Sequence, residues 1–347
     1  MWHSVIHRIH ADDKACAWMR FQLFRLHPGL SALTSHLQRL NSMNKHSQLS
    51  SRPMADDQDF WRMRDLLIAA VPITPIGFNW DMRRLDGKRF YDADLEANRL
   101  LGRPIQLWEA SDGQLVGFVL SEGDGDAHLQ VHPDYRHLEG EMIDWAMAHL
   151  AAASGLEIYV YEYDALRQRL LAERGFQATA DWGMIRHLRL GMRPLAEPVI
   201  PAGYALRPTN PADPADCQRI ADLLNAAFGR SFHNAAEYHN FCRLAPCFRR
   251  DLDLVAVAPD SSFAAYVGVP YDETNRRGIF EPVCTHPDHL RKGLASALMQ
   301  EGLRRLKALG AIDATVDTGD RTPANRFYDS FGFTEAYRGV AWRKTFS

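Results

Sequence analysis

The stretch Val283-Cys-Thr-His-Pro-Asp-His-Leu-Arg-Lys-Gly-Leu-Ala-Ser-Ala-Leu298 decides how this chain is read. It begins as a strand, passes through a polar loop and ends in the first turns of an apolar-periodic helix. Gly293 and Ala295 carry no bulk where the helix starts, so backbone N–H groups there can approach a ligand closely. A helix start also leaves N–H groups unpaired and presents the positive end of the dipole, which favours an anion. These features make a cradle for a pyrophosphate, with Arg291 and Lys292 adding positive charge beside it. The same residues also suit a plain strand-to-helix turn with solvated basic side chains.

The elements around this stretch follow from periodicity. Tyr204–Arg207 reads as a strand, and Asp213–Phe228 as an amphipathic helix with Ile220, Leu223, Leu224 and Ala227 on one face. Leu252–Ala258 and Phe263–Pro270 alternate around Pro259-Asp-Ser-Ser as a hairpin. A strand Gly278–Thr285 leads into the loop, and a helix from Leu294 to Leu309 is closed by Gly310. Strand Ala314–Thr318, helix Pro323–Ser330 and strand Tyr337–Thr345 complete the order. The fold class is α/β, a mixed sheet with helices packed on it.

The pattern occurs twice. Arg52-Pro-Met followed by Trp61-Arg-Met-Arg-Asp-Leu-Leu-Ile-Ala-Ala is echoed by Arg207-Pro-Thr followed by Arg219-Ile-Ala-Asp-Leu-Leu-Asn-Ala-Ala. Val131-His-Pro-Asp-Tyr is echoed by Thr285-His-Pro-Asp-His, and Arg174-Gly-Phe by Phe331-Gly-Phe. The offsets are 155, 154 and 157 residues, in the same order, as a duplicated domain requires. The chain of 347 residues is long enough for two such units. We expect a first domain over 44–192, a Pro-rich linker over 193–203 and a second domain over 204–347. Residues 1–43 read as an appendage: a disordered terminus, a targeting peptide or a mis-assigned start.

Composition excludes several classes. With 46% hydrophobic and 24% charged residues the chain is neither disordered nor collagen-like, and no apolar run reaches membrane-span length. Five scattered cysteines without a Cys-x-x-Cys pair suggest neither a disulfide framework nor zinc, so a cytoplasmic location and no metal are expected. Basic residues form no continuous run, which speaks against nucleic acid and leaves a small molecule as the expected partner. The net charge of −3 hides unlike parts, because 44–203 holds 17 basic and 24 acidic residues while 204–347 holds 18 and 17.

Thr285-His-Pro-Asp-His-Leu-Arg-Lys-Gly-Leu-Ala295 resembles the acetyl-CoA signature of the GNAT superfamily of N-acetyltransferases, Gln/Arg-x-x-Gly-x-Gly/Ala. Leu290 stands where Gln or Arg is usual. Ala324-Asn-Arg-Phe-Tyr-Asp-Ser-Phe-Gly-Phe333 resembles the same family's C-terminal segment. The resemblance implies two tandem GNAT-like folds, with acetyl-CoA as cosubstrate lying where the fourth and fifth strands splay. It places pantetheine beside the backbone of Val283 and Thr285, and pyrophosphate on the N–H groups of Leu290, Arg291, Lys292, Gly293, Leu294, Ala295 and Ser296. Asn325 would contact the cosubstrate and Tyr328 would protonate the departing thiolate. Glu281, two residues before Val283 and so on the same strand face, can serve as base, bind a cationic substrate or sit in an ion pair. Cys284 alternates to the opposite face as a buried structural thiol, and His286 shapes the loop.

At the positions of Gly293 and Ala295 the first copy has Glu139 and Glu141, and at that of Tyr328 it has Leu171. Two carboxylates would repel a pyrophosphate, so the first copy is expected to be degenerate, with Trp80, Trp108 or Trp182 lending a wall to the acceptor site. The acceptor-specific loops are expected over 72–101 and 230–250. The expected activity is direct transfer of an acetyl group from acetyl-CoA to a primary amine of a small molecule or peptide in the second copy. A non-catalytic acyl-CoA-binding module and a tandem enzyme similar to mycothiol synthases are the alternatives.

Overall fold

The structure, a computed structural model, describes residues 49–96, 100, 102–192, 194–319 and 322–346. The expectation for 1–43 lies outside them. The first half contributes β1 (Ser50–Pro53), α1 (Asp57–Ala70), α2 (Met82–Phe90), β2 (Gln106–Glu109), β3 (Leu115–Leu120), β4 (Asp126–Val131), α3 (Glu139–His149), β5 (Leu156–Tyr161), α4 (Ala165–Glu173) and β6 (Gln177–Arg189). The second contributes β7 (Ala205–Pro208), α5 (Pro214–Phe228), α6 (Ala235–Leu244), β8 (Asp253–Val257), β9 (Phe263–Gly268), β10 (Tyr271–Asp272), β11 (Arg277–Ile279), β12 (Val283–Thr285), α7 (Leu294–Ala308), β13 (Asp313–Gly319), α8 (Thr322–Ser330) and β14 (Glu335–Lys344). Residues 52–108 and 115–347 group as one unit, which carries everything discussed below. In the other unit, 109–114 form a turn closed by the Ala110 N–H on the Gln114 carbonyl at 2.9 Å.

The duplication is visible in atomic detail. Arg52 grips Asp59 on α1 with both guanidinium nitrogens, at 2.6 and 2.7 Å, and Arg207 grips Asp216 on α5 in the same fork at 2.7 and 2.8 Å. Each aspartate also takes a backbone N–H at 2.9 Å and a second arginine three residues on, Arg62 or Arg219. His132 and His286 both accept the N–H two residues ahead, so the two His-Pro-Asp loops turn alike. The Phe176 N–H meets the Leu171 carbonyl as the Phe333 N–H meets that of Tyr328, which confirms that Leu171 and Tyr328 are counterparts.

The two halves exchange their last strands. From β2 the large sheet runs β2-β3-β4-β5-β14-β6-β13-β11-β10, while β12-β9-β8-β7 form a second sheet. β14 of the second half lies antiparallel between β5 and β6 of the first, and β6 lies between β14 and β13. Helix α7 buries Leu294, Leu298, Met299, Leu303 and Leu306 against strands of its own half, each apolar side chain contributing about 1.5–3 kcal/mol.

Two expectations are corrected. The strand expected over 278–285 is broken into β11 and β12. Phe280 donates its N–H to Thr315 on β13, Glu281 donates its own to Gly268 at the end of β9, and Pro282 has no N–H to continue the first ladder. The loops expected over 72–101 and 230–250 each contain a helix. α2 is capped by Asp81 and buries Met82, Leu85 and Phe90, and α6 has a capping box between Asn234 and Glu237 and buries Tyr238 and Phe241.

Candidate active site

At the start of α7, Arg291 and Gly293 both adopt left-handed backbone, φ 59° and 79°, and no side chain caps the helix. The N–H groups of the first turn therefore face outward around an open concavity. A Cβ on Gly293 would meet no heavy atom within 4 Å, so the space above the cradle is free. This geometry fits a pyrophosphate. The Leu290 side chain is exposed, Leu294 is buried, and Ala295 and Ser296 are half-buried on the first turn. Lys292 is held by the Tyr204 hydroxyl at 3.1 Å and the Asp288 carbonyl at 3.2 Å, beside the cradle.

The strand that leads into the cradle borders a splay. β11 pairs in parallel with β13 up to Ile279 and Thr315, whereas β12 pairs only with β9. The antiparallel ladder turns the backbone groups of Cys284 and His286 towards β9, so those of Val283 and Thr285 face the opening. The Cys284 thiol lies in the apolar cluster with Ile220 and Val255, and burial pushes its pKa up to about 12, which suits a structural role.

The splay continues into a cleft of about 1180 Å³ lined by both halves, with Val283, Tyr328 and Glu281 on its wall. The Tyr328 ring is buried against Phe333 and Val316, and its hydroxyl has no hydrogen-bond partner among the described residues. Burial, and then the Glu281 charge, raise this phenol to about 12. Asn325 accepts from the Arg186 guanidinium at 2.9 Å and donates to the Gly319 carbonyl at 3.2 Å, so its amide is engaged by protein at both ends. Glu281 does not share a strand with Val283, because the chain changes partners between them. Its carboxylate is paired with Arg83 of α2 at 2.8 Å, the ion-pair alternative left open by the sequence.

In the first copy the matching positions are filled by the protein itself. The Asn79 side chain donates to the Val131 carbonyl and accepts its N–H, both at 3.0 Å. Val131 is the counterpart of Thr285, so the strand edge open in the second copy is closed here. Glu139 is fully buried and paired with Arg136 and Arg167, the latter at 2.8 Å. Glu141 accepts the Trp108 indole N–H at 2.8 Å. Where repulsion was expected, the two carboxylates are instead engaged by the protein itself, Glu139 by arginines and Glu141 by Trp108. Removing Glu139 takes the nearer carboxylate from the buried Arg167 guanidinium, leaving it Asp164 at 3.8 Å. Glu139→Ala is expected to lower stability by about 3–5 kcal/mol in urea unfolding without creating a second ligand site.

Comparison with known proteins identifies this arrangement. Residues 217–333 match the model of the family described as Acetyltransferase (GNAT) family. This matched segment is a GNAT domain. No curated protein matches the sequence. Among solved structures, the tandem GNAT protein from the clavulanic acid biosynthesis pathway is 19% identical, with 86% of this chain and 98% of that one covered at a TM-score of 0.60. The GCN5-related N-acetyltransferase from Sphaerobacter thermophilus is also 19% identical, covering 86% and 96% at 0.56. The GNAT acetyltransferase from Colwellia psychrerythraea is 11% identical, covering 86% and 100% at 0.54. At these identities the likeness is one of fold, and it spans both halves.

The first half supplies much of the wall opposite the GNAT domain. Trp80 and Trp182 line the cleft, each with a guanidinium over its ring, Arg84 at 4.4 Å and Arg338 at 4.8 Å. Trp108 is instead a core residue. Sequence reasoning missed Asp81, Arg83 and Arg84 at the start of α2, Arg186 on β6 and Asp317 on β13. Asp317 alone carried a signal, an acid in a predicted strand on the face away from the apolar Ala314 and Val316. No helix among the described residues is long and apolar enough to cross a membrane.

Proposed function

We propose that the chain is an N-acetyltransferase that moves an acetyl group from acetyl-CoA to a primary amine of a small molecule in its GNAT domain, while the first half completes the acceptor cleft. The observation that carries this reading is the combination of an α7 start without a side-chain cap, a strand splay and a cleft at that splay lined by Tyr328, whose hydroxyl has no partner among the described residues. Bound acetyl-CoA supplies a thioester whose carbonyl carbon accepts the amine.

The chain's own residues do the rest. N–H groups of Arg291 to Ser296 would hold the pyrophosphate, with Arg291 and Lys292 giving it cationic neighbours. Backbone groups of Val283 and Thr285 would hold the pantetheine amides. Tyr328 stays protonated across the working pH range, since its phenol sits near 12, and so retains a proton for the leaving sulfur. Direct transfer agrees with the burial of Cys284, which removes the nearest thiol from the cleft.

Tyr328→Phe keeps the ring in its packing and leaves no buried partner unsatisfied. It is expected to lower kcat by about 10²-fold with acetyl-CoA affinity unchanged. Calorimetry with acetyl-CoA, followed by mass spectrometry of an amine panel incubated with it, provides both readouts. Binding without transfer to any amine, and no effect of Tyr328→Phe, would mark a non-catalytic acyl-CoA module.

A further inference from the structure

Two residues beyond the pairing of Ile279 with Thr315, Glu281 and Asp317 both line the cleft at the splay. The two carboxylates differ in their surroundings. Glu281 is tied to Arg83. Asp317 is exposed to the cleft, its carboxylate accepts the backbone N–H of Thr318, and it has no ion-pair partner among the described residues. Neighbours on its own strand fix its direction, because Ala314 and Val316 point into the core of the GNAT domain.

We propose that Asp317 is the carboxylate that receives the acceptor's nitrogen and takes the proton it must lose, so the acceptor is a primary amine that enters the cleft as an ammonium. This deepens the acetyltransferase reading and rests on it. The position carries the proposal. Asp317 stands on the strand bounding the splay, in the same cleft as Val283 and Tyr328, so a nitrogen approaching a thioester in that splay passes it.

The charged and titratable groups facing Asp317 are Glu281 at the splay, Asp81 and Arg84 at the start of α2, Tyr159 and Tyr161 on β5, and Tyr328 on α8. Crowding by the cleft walls raises the Asp317 carboxyl to about 6, with Glu281 and Asp81 pushing the same way and Arg84 opposing them. It is therefore ionised at neutral pH, able to attract an ammonium, yet more basic than an ordinary aspartate.

The step balances as follows. The ammonium gives one proton through Asp317 to solvent. The freed lone pair forms the C–N bond at the thioester carbonyl carbon, and the C–S pair leaves on sulfur. The second nitrogen proton passes to Asp317 and the Tyr328 phenol proton passes to sulfur. Return of the proton from Asp317 to the Tyr328 oxygen through solvent restores both side chains. Products are the acetamide, the free thiol and one released proton.

The test uses the full chain, acetyl-CoA and benzylamine as probe. Calorimetry first establishes acetyl-CoA binding to wild type, Asp317→Asn and Glu281→Gln; failure of wild type to bind overturns the acetyltransferase reading itself, and this proposal with it. With binding intact, kcat for benzylamine is expected to rise with pH through a limb near 6. Asp317→Asn should remove that limb and lower kcat by about 10²–10³-fold. Glu281→Gln should keep the limb and move it to lower pH, because a negative neighbour is gone. A limb lost in Glu281→Gln but kept in Asp317→Asn overturns the proposal. If benzylamine is not acetylated, the ¹³C resonance of the Asp317 carboxyl, assigned by its absence in Asp317→Asn, decides. Titration near pH 6 with a shift on adding benzylamine supports the proposal, and no titration between pH 5 and 7, or no shift with the amine, overturns it.

Discussion

Gly293→Glu is expected to abolish acetyl-CoA binding, and wild-type chain is expected to bind one acetyl-CoA, not two. Gly293 stands at the N-cap of α7 with φ 79°, a conformation glycine adopts without cost, and the space beyond its Cα is open. A glutamate there would place a flexible carboxylate over the unpaired N–H groups of α7. It would supply internally the anion that the helix start otherwise takes from a ligand. The first copy shows this outcome already made, since Glu139 fills the corresponding place. Loss of the pyrophosphate contacts corresponds to at least a hundredfold in Kd, about 2.7 kcal/mol. Stability should change little, because the left-handed residue costs about 1–3 kcal/mol while the acid gains from the helix dipole. Isothermal titration reads stoichiometry and affinity together. Two molecules per wild-type chain would refute self-occupation of the first copy, and unaltered binding by Gly293→Glu would refute the cradle.

Local chemistry was legible in the sequence; pairing between distant residues was not. The α7 loop, the two His-Pro-Asp turns and the counterpart relation of Leu171 to Tyr328 depend on neighbours within about a dozen residues, so the order of residue types suffices to place them. The expected elements Asp213–Phe228 and Leu294–Leu309 match α5 and α7 within a residue at each end for the same reason. Glu139 was placed at the first copy's cradle position by the repeat, but its partner Arg167 lies 28 residues on and turns the expected repulsion into a satisfied ion pair. Strand exchange joins residues far apart in the chain, such as Asp313 with Arg189 and Lys344 with Leu156, and no local pattern in β6 or β14 names its neighbour. Glu281 illustrates the same limit. Its place with Asp317 in the cleft wall and its bond to Arg83 involve three segments that sequence spacing does not relate.

The exchanged strand leads to the second large effect. Arg186→Met is expected to lower kcat about tenfold or more and to cost about 2–3 kcal/mol of stability. Arg186 belongs to β6 of the first half, yet its buried guanidinium donates to Asn325 at 2.9 Å, to both oxygens of Asp329, and to the Phe333 carbonyl at 2.7 Å. Asn325 and Asp329 are one turn apart on α8, and Tyr328 lies between them in sequence. The guanidinium therefore fixes the rotation of the helix that aims the phenol into the cleft, which makes Arg186 a positioning residue. Methionine preserves the stem but leaves the Phe333 carbonyl unpaired, while half-exposed Asp329 regains solvent, so the stability cost stays below that of a fully buried ion pair. A merely structural role would lower the folded fraction and leave kcat per folded molecule intact. Normalising activity to folded protein, measured by urea unfolding, separates the two. A double-mutant cycle with Asp329→Asn should give a coupling of about 0.5–3 kcal/mol. Arg189→Ala, on the same strand but exposed and paired only with Glu335, serves as the control and should leave kcat unchanged. If Arg186→Met keeps the wild-type kcat per folded molecule, the first half contributes the cleft wall and nothing to the aim of Tyr328. If kcat falls with acetyl-CoA affinity unaltered, the degenerate copy works through its exchanged strand on the chemical step of its partner.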